Sequence, residues 1–144
     1  MKPILSRLTK LAFSCTALCA LAAAQATDFV TGGGFITPTA IGGRGSFGFV
    51  AGDPTVPDGV VDYVDHGIRM RVHSTSITGY TIVDAQTRQI TGTCTINGVP
   101  GFTFVVLVAD INEPGRADSF GITLSNGYIA RDRLAGGNVQ LHTP

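Results

Sequence analysis

The sequence predicts an all-β protein, an antiparallel β-sandwich or jelly roll of about nine short strands. Three observations carry that reading. Apolar and polar residues alternate with period two in segment after segment, turns rich in Gly, Pro and Asn separate those segments at fairly even intervals, and no helical periodicity follows residue 26.

The first 26 residues stand apart. Lys2, Arg7 and Lys10 form a positive head, Leu11 to Ala24 an apolar run short for a membrane span, and Ala24-Gln25-Ala26 a small-x-small cleavage signal. This is the pattern of a secretory signal peptide, with a mature start at Thr27. Residues 27–144 are then expected to be a single domain, secreted or periplasmic, in which no later stretch is apolar and long enough to span a bilayer.

Thr27 to Ile36 opens as a strand and runs into Gly32-Gly33-Gly34, which predicts a bulge or a close crossing of two backbones. A nucleotide-binding loop would need a Lys and a following helix, and neither is there. Arg44 to Ala51 places Phe47, Phe49 and Ala51 on one face. After a loop from Gly52 to Gly59, Val60 to Asp65 reads as a strand, His66-Gly67 as a turn, and Ile68 to Thr75 as a strand with Arg69, Arg71 and His73 outward. Tyr80 to Val83 reads as a separate strand, with Asp84 to Arg88 as its turn.

Gln89 to Ile96 sends Ile90, Gly92, Cys94 and Ile96 inward and a row of Thr91, Thr93 and Thr95 outward. Asn97-Gly98 is a hairpin signal. Next come Phe102, Phe104, Val106 and Val108 on one face and Thr103, Val105 and Leu107 on the other, which predicts a central strand apolar on both sides. Phe120, Ile122 and Leu124 alternate with Ser119, Gly121 and Thr123 as its half-buried partner. Phe102, Phe104, Val106, Phe120 and Ile122 should share one core. Asn126-Gly127 turns the chain again, Tyr128 to Ala130 pairs briefly, and Gly136-Gly137 opens a last strand with Val139 and Leu141 inward.

Without its leader the chain has no lysine and carries seven Arg against ten acidic residues, a net charge of −3. That excludes a phosphate-gripping basic surface, so no nucleic-acid partner is expected. Cys94 is the one cysteine left, so no internal disulfide forms and the core alone must hold the fold. An inward thiol behaves as a small hydrophobe, although an unpaired cysteine in an exported protein also leaves an intermolecular disulfide open.

Several strings occur together and in order: Val30-Thr31-Gly32-Gly33-Gly34, Ser46-Phe47-Gly48-Phe49, Tyr63-Val64-Asp65-His66, Val72-His73-Ser74, Thr91-Gly92-Thr93-Cys94, Asn112-Glu113-Pro114-Gly115 with Asp118-Ser119-Phe120, and Gly136 to His142. Over nearly all of Thr27 to His142 the chain resembles the secreted bacterial β-domains called post-COAP domains. That resemblance implies an extracellular module without an assigned enzymatic activity. Asn112 departs from it, standing where the family pattern has Gly.

Two groups of residues are chemically loaded. Tyr63, Asp65, His66, Arg69, Arg71 and His73 combine groups that neutralise a carboxylate with groups that move a proton, as a lyase or hydrolase acting on an acidic polysaccharide needs. The plainer reading is a turn at Asp65-His66-Gly67 beside a solvated face. Asp110, Asn112, Glu113 and Asp118 offer oxygen ligands for calcium, without the spacing of an EF-hand, and a turn built on Asp, Asn, Pro and Gly explains the same letters. His66, His73 and His142 are too scattered to spell a zinc site. The expected function is a non-catalytic surface or matrix module binding an extracellular protein or polysaccharide. The alternative is the small extracellular enzyme working through the Arg/His patch.

Overall fold

The computed structural model describes residues 27–37, 43–111 and 117–144. Nine strands succeed one another: β1 (Phe29–Ile36), β2 (Gly45–Gly52), β3 (Asp58–Asp65), β4 (Met70–Ile82), β5 (Thr87–Ile96), β6 (Val99–Ala109), β7 (Ser119–Leu124), β8 (Ile129–Arg133) and β9 (Gly136–His142). All are antiparallel and form one sheet in the order β8-β7-β6-β5-β4-β3-β2-β1-β9. Each strand thus lies beside its predecessor until β9, which departs to pair with β1. Residues 1–26, where the sequence predicts a signal peptide, lie outside the described residues.

Leu134 and Ala135 alone separate β8 from β9, yet these strands are opposite ends of the sheet. Two residues span three Cα steps, at most about 11 Å, so the sheet must curl until its ends meet. Phe120 of β7 stacks on Phe47 of β2 with ring centroids 4.1 Å apart, and Phe49 and Tyr63 flank the same ring. Strands distant in sheet order therefore face each other across a filled interior. The two halves of one curled meander pack as the layers of a sandwich do.

The expected antiparallel all-β architecture is what the chain adopts, and four details refine it. Ile68 to Thr75 and Tyr80 to Val83 do not form two strands: β4 is continuous and absorbs irregularities between Ser74 and Ser76 and between Ile77 and Gly79. β6 is buried on one face only. Phe104, Val106 and Val108 are inside, while Val105 and Leu107 are 40% and 37% exposed, because a sheet closed on itself has an outer face that no other described element covers. Phe102 is only half-buried at the rim of the core formed by Phe104, Val106, Phe120 and Ile122. The Gly32-Gly33-Gly34 run marks a close backbone approach rather than a bulge, since β1 keeps unbroken register with both neighbours. A Cβ on Gly34 would sit 2.1 Å from the Gly136 carbonyl oxygen of β9.

Closure itself falls to two carboxylates. Asp118, fully buried, accepts the Ile111 N–H at 2.9 Å with Oδ1 and the Val139 N–H at 2.9 Å with Oδ2, while Asp110 Oδ2 accepts the Leu141 N–H at 2.8 Å. Side chains at the ends of β6 and β7 thereby satisfy amides of β9 that no strand pairs.

Candidate functional site

The pleat of β3 divides the expected Tyr63/Asp65/His66/Arg69/Arg71/His73 patch. Val61, Tyr63 and Asp65 share the inward parity and are buried, whereas His66, Arg69, Arg71 and His73 are exposed. The six side chains therefore do not converge on one site.

Inside, the groups make a closed chain of hydrogen bonds. Asp65 Oδ1 accepts the Gly67 N–H at 2.8 Å and the Ile68 N–H at 3.4 Å, which builds the β3–β4 turn. Its Oδ2 accepts the Tyr128 hydroxyl at 2.7 Å, and the Tyr63 and Tyr128 hydroxyls are 2.7 Å apart. Tyr128 has one proton and gives it to the carboxylate, so Tyr63 is the donor in the tyrosine pair. Burial, with the hydrogen bonds to Tyr63 and Asp65, pushes the Tyr128 phenol far above its ordinary value, and burial raises Tyr63. Neither ring serves as a base at neutral pH.

Outside, two histidines have separate partners. His66 Nε2 lies 2.9 Å from Ser46 Oγ, and His73 Nδ1 lies 2.6 Å from Asp62 Oδ1. Ser46 pairs with Val64 and Asp62 with Gly48, which places both couples on adjacent rows of the outer face of β2 and β3. The Ser46–His66 contact has the spacing of a nucleophile and its base. Among the described residues no carboxylate stands behind His66, Asp62 being committed to His73. Arg69 and Arg71 enter no ion pair among those residues; the Arg71 backbone N–H instead reaches Asn97 Oδ1 at 2.8 Å.

A second buried cluster joins the start of β1 to the β4–β5 hairpin. Arg88 forms a two-pronged bond to Asp28, Nε to Oδ1 and Nη2 to Oδ2, both at 2.8 Å, and the Tyr80 hydroxyl donates to Asp28 Oδ1 at 2.5 Å. Arg88 Nη1 also donates to the carbonyls of Asp84 and Thr87, which closes the turn. The hydrogen bond from Arg88 holds the Asp28 carboxyl below its ordinary range, and burial with the Asp28 contact drives Tyr80 upward. Every charge here is answered from within, so the cluster fastens the segment leading into β1 to the sheet and offers nothing to a substrate.

Of the calcium candidates, Asn112 and Glu113 lie outside the described residues. Asp110 and Asp118 are occupied with the backbone as described above. Cys94 is buried and free, with burial raising its thiol, so it packs as a small hydrophobe.

No protein-family model, curated protein or solved structure matches the chain.

Proposed function

We propose that the chain is an exported, non-catalytic β-module that recognises an extracellular protein or polysaccharide with its outer surface. The observation that carries this reading is the division of its polar groups. The interior carboxylates, phenols and guanidinium satisfy one another, while the guanidiniums of Arg69, Arg71, Arg131 and Arg133 face solvent without ion-pair partners among the described residues. The leader pattern of residues 1–26 supports export, and the resemblance to post-COAP domains supports an extracellular module without an assigned enzymatic activity.

One observation favours the enzyme reading, a small extracellular lyase or hydrolase acting on an acidic polysaccharide: the Ser46–His66 contact at 2.9 Å. A single assay separates the two. The exported protein is titrated with acidic polysaccharides and with cell-surface fractions while product release is followed. Saturable binding without turnover is expected. Turnover that disappears in His66→Ala would replace the binding module with the enzyme.

A further inference from the structure

A curled sheet whose ends meet without full pairing has two strand edges, and this protein treats them differently. The edge of β9 is closed by Asp118 and Asp110, which take the Val139 and Leu141 amides. Among the described residues the edge of β8 has no such cover. Ala130 and Asp132 stand opposite Ile122 and Phe120, while the flanking bonds run from Leu124 N–H to the Tyr128 carbonyl and from Leu134 N–H to the Asp118 carbonyl. In an antiparallel ladder this alternation turns the even-numbered residues of β8 toward β7 and the backbone groups of Ile129, Arg131 and Arg133 away from the sheet. The Arg133 N–H is taken by Asp132 Oδ1 at 2.8 Å. The amides and carbonyls of Ile129 and Arg131 bond to nothing among the described residues. Arg131, Asp132 and Arg133 are all exposed in succession, so the in-out alternation of the sheet stops at this strand.

We propose that the free edge of β8 binds an extended acidic peptide as an added strand. This rests on the reading of the protein as a surface-recognition module and names the partner's chemistry. Backbone donors and acceptors facing solvent are the template that strand addition uses. The side chains choose the occupant. Arg131 and Arg133 project from the same face two residues apart. A second copy pairing antiparallel about Arg131 would set that guanidinium against its own counterpart, and like charges directly opposite are unfavourable. A strand bearing Glu or Asp at alternate positions instead meets each Arg with a carboxylate. The same two charges thus guard the edge against self-association and attract an acidic chain.

The test uses the exported protein and two synthetic peptides, one alternating Glu with Val and one alternating Lys with Val. Affinities come from calorimetric titration at low and physiological salt, and edge engagement from amide hydrogen exchange at Ile129 and Arg131. The Glu peptide should bind at least about tenfold more tightly than the Lys peptide, with the preference shrinking as salt rises, and should protect both amides. Ile129→Pro removes one outward N–H, keeps both guanidiniums and is tolerable on an edge strand; it should weaken binding at least about tenfold. Arg131→Glu, which leaves the backbone intact and sets a carboxylate beside the remaining Arg133, should abolish the preference for the Glu peptide. Equal affinity for the two peptides, or binding that leaves both amides unprotected, overturns the proposal. Binding of polygalacturonate that Ile129→Pro leaves unchanged would place recognition on the guanidiniums rather than the strand edge, overturning the added strand while leaving surface recognition standing.

Discussion

Tyr63 donates its hydroxyl proton to Tyr128 across 2.7 Å, although the two stand 65 residues apart in the chain. Through Tyr128 the bond continues to Asp65, so a phenol on β3 and one before β8 share a single buried carboxylate. The curled sheet brings them together, and the pair in turn ties the β3–β4 turn to the β7–β8 hairpin.

The direction of those bonds makes the two tyrosines unequal. Tyr128→Phe leaves the Tyr63 donor and an Asp65 oxygen without partners, an orphaning that costs about 1–3 kcal/mol per buried group. Tyr63→Phe removes a donor but leaves Tyr128 bonded to Asp65, and should cost less than about 1.5 kcal/mol. Urea unfolding of both variants checks the order. Equal losses would mean that the proton sits elsewhere.

The chain has three tyrosines, and all three are raised above the ordinary value of 10.0. A phenol whose folded pKa exceeds its unfolded one contributes stability that is complete below the unfolded value and is lost as pH rises toward the folded value. Tyrosinate absorbance should therefore stay low through pH ~10 and then appear for all three rings together with unfolding. A gradual rise centred near pH ~10 in protein that still shows native circular dichroism would contradict the buried network.

Much of this architecture is legible in the sequence because strand parity is a local property. Phe120, Ile122 and Leu124 are buried as their alternation requires, and Asn97-Gly98 turns with both residues at positive φ, 49° and 80°. The same parity, extended two residues, would have revealed Arg88: it is in phase with Ile90, Gly92 and Cys94, and so points inward. Assigning it to a turn hides it. Asp28 is likewise in phase with Val30. Tyr63 and Asp65 are in phase with Val61, which separates them from His66 and the arginines. What local pattern does not carry is closure. Nothing around Asp118 announces that its carboxylate will meet β9, because that meeting depends on how far the whole sheet curls.

Asp28 and Arg88 form a buried pair, so breaking it from one side is costly. Arg88→Met leaves an uncompensated carboxylate and should destabilise the protein by about 3–5 kcal/mol, with the double variant Asp28→Leu/Arg88→Met recovering part of the loss. Because Arg88 depresses the Asp28 pKa, this contribution is complete above the ordinary carboxylate value of 3.8 and fades as pH falls through the lower folded value. Urea titrations at about pH 6 and about pH 3 should show that acid slope, and Asp28→Asn should flatten it. An unchanged slope in Asp28→Asn would assign the acid sensitivity to other carboxylates.

Asp118 and Asp110 differ in how many amides they serve, and that difference decides between a structural and a cation-binding loop. Asp118 receives N–H groups on both oxygens, so Asp118→Asn must turn an NH2 toward either Ile111 or Val139 and set donor against donor. The expected loss is about 1–3 kcal/mol. Among the described residues Asp110 receives only the Leu141 N–H, which an Asn carbonyl can still accept, so Asp110→Asn should cost less than about 1 kcal/mol. Calcium competing for these carboxylates would have to displace amides of β9, and millimolar calcium should therefore leave the melting temperature of the parent unchanged. A rise in the parent that both Asn variants lose would instead assign the loop to calcium, since a metal bound only by the folded form must raise the melting temperature with its concentration.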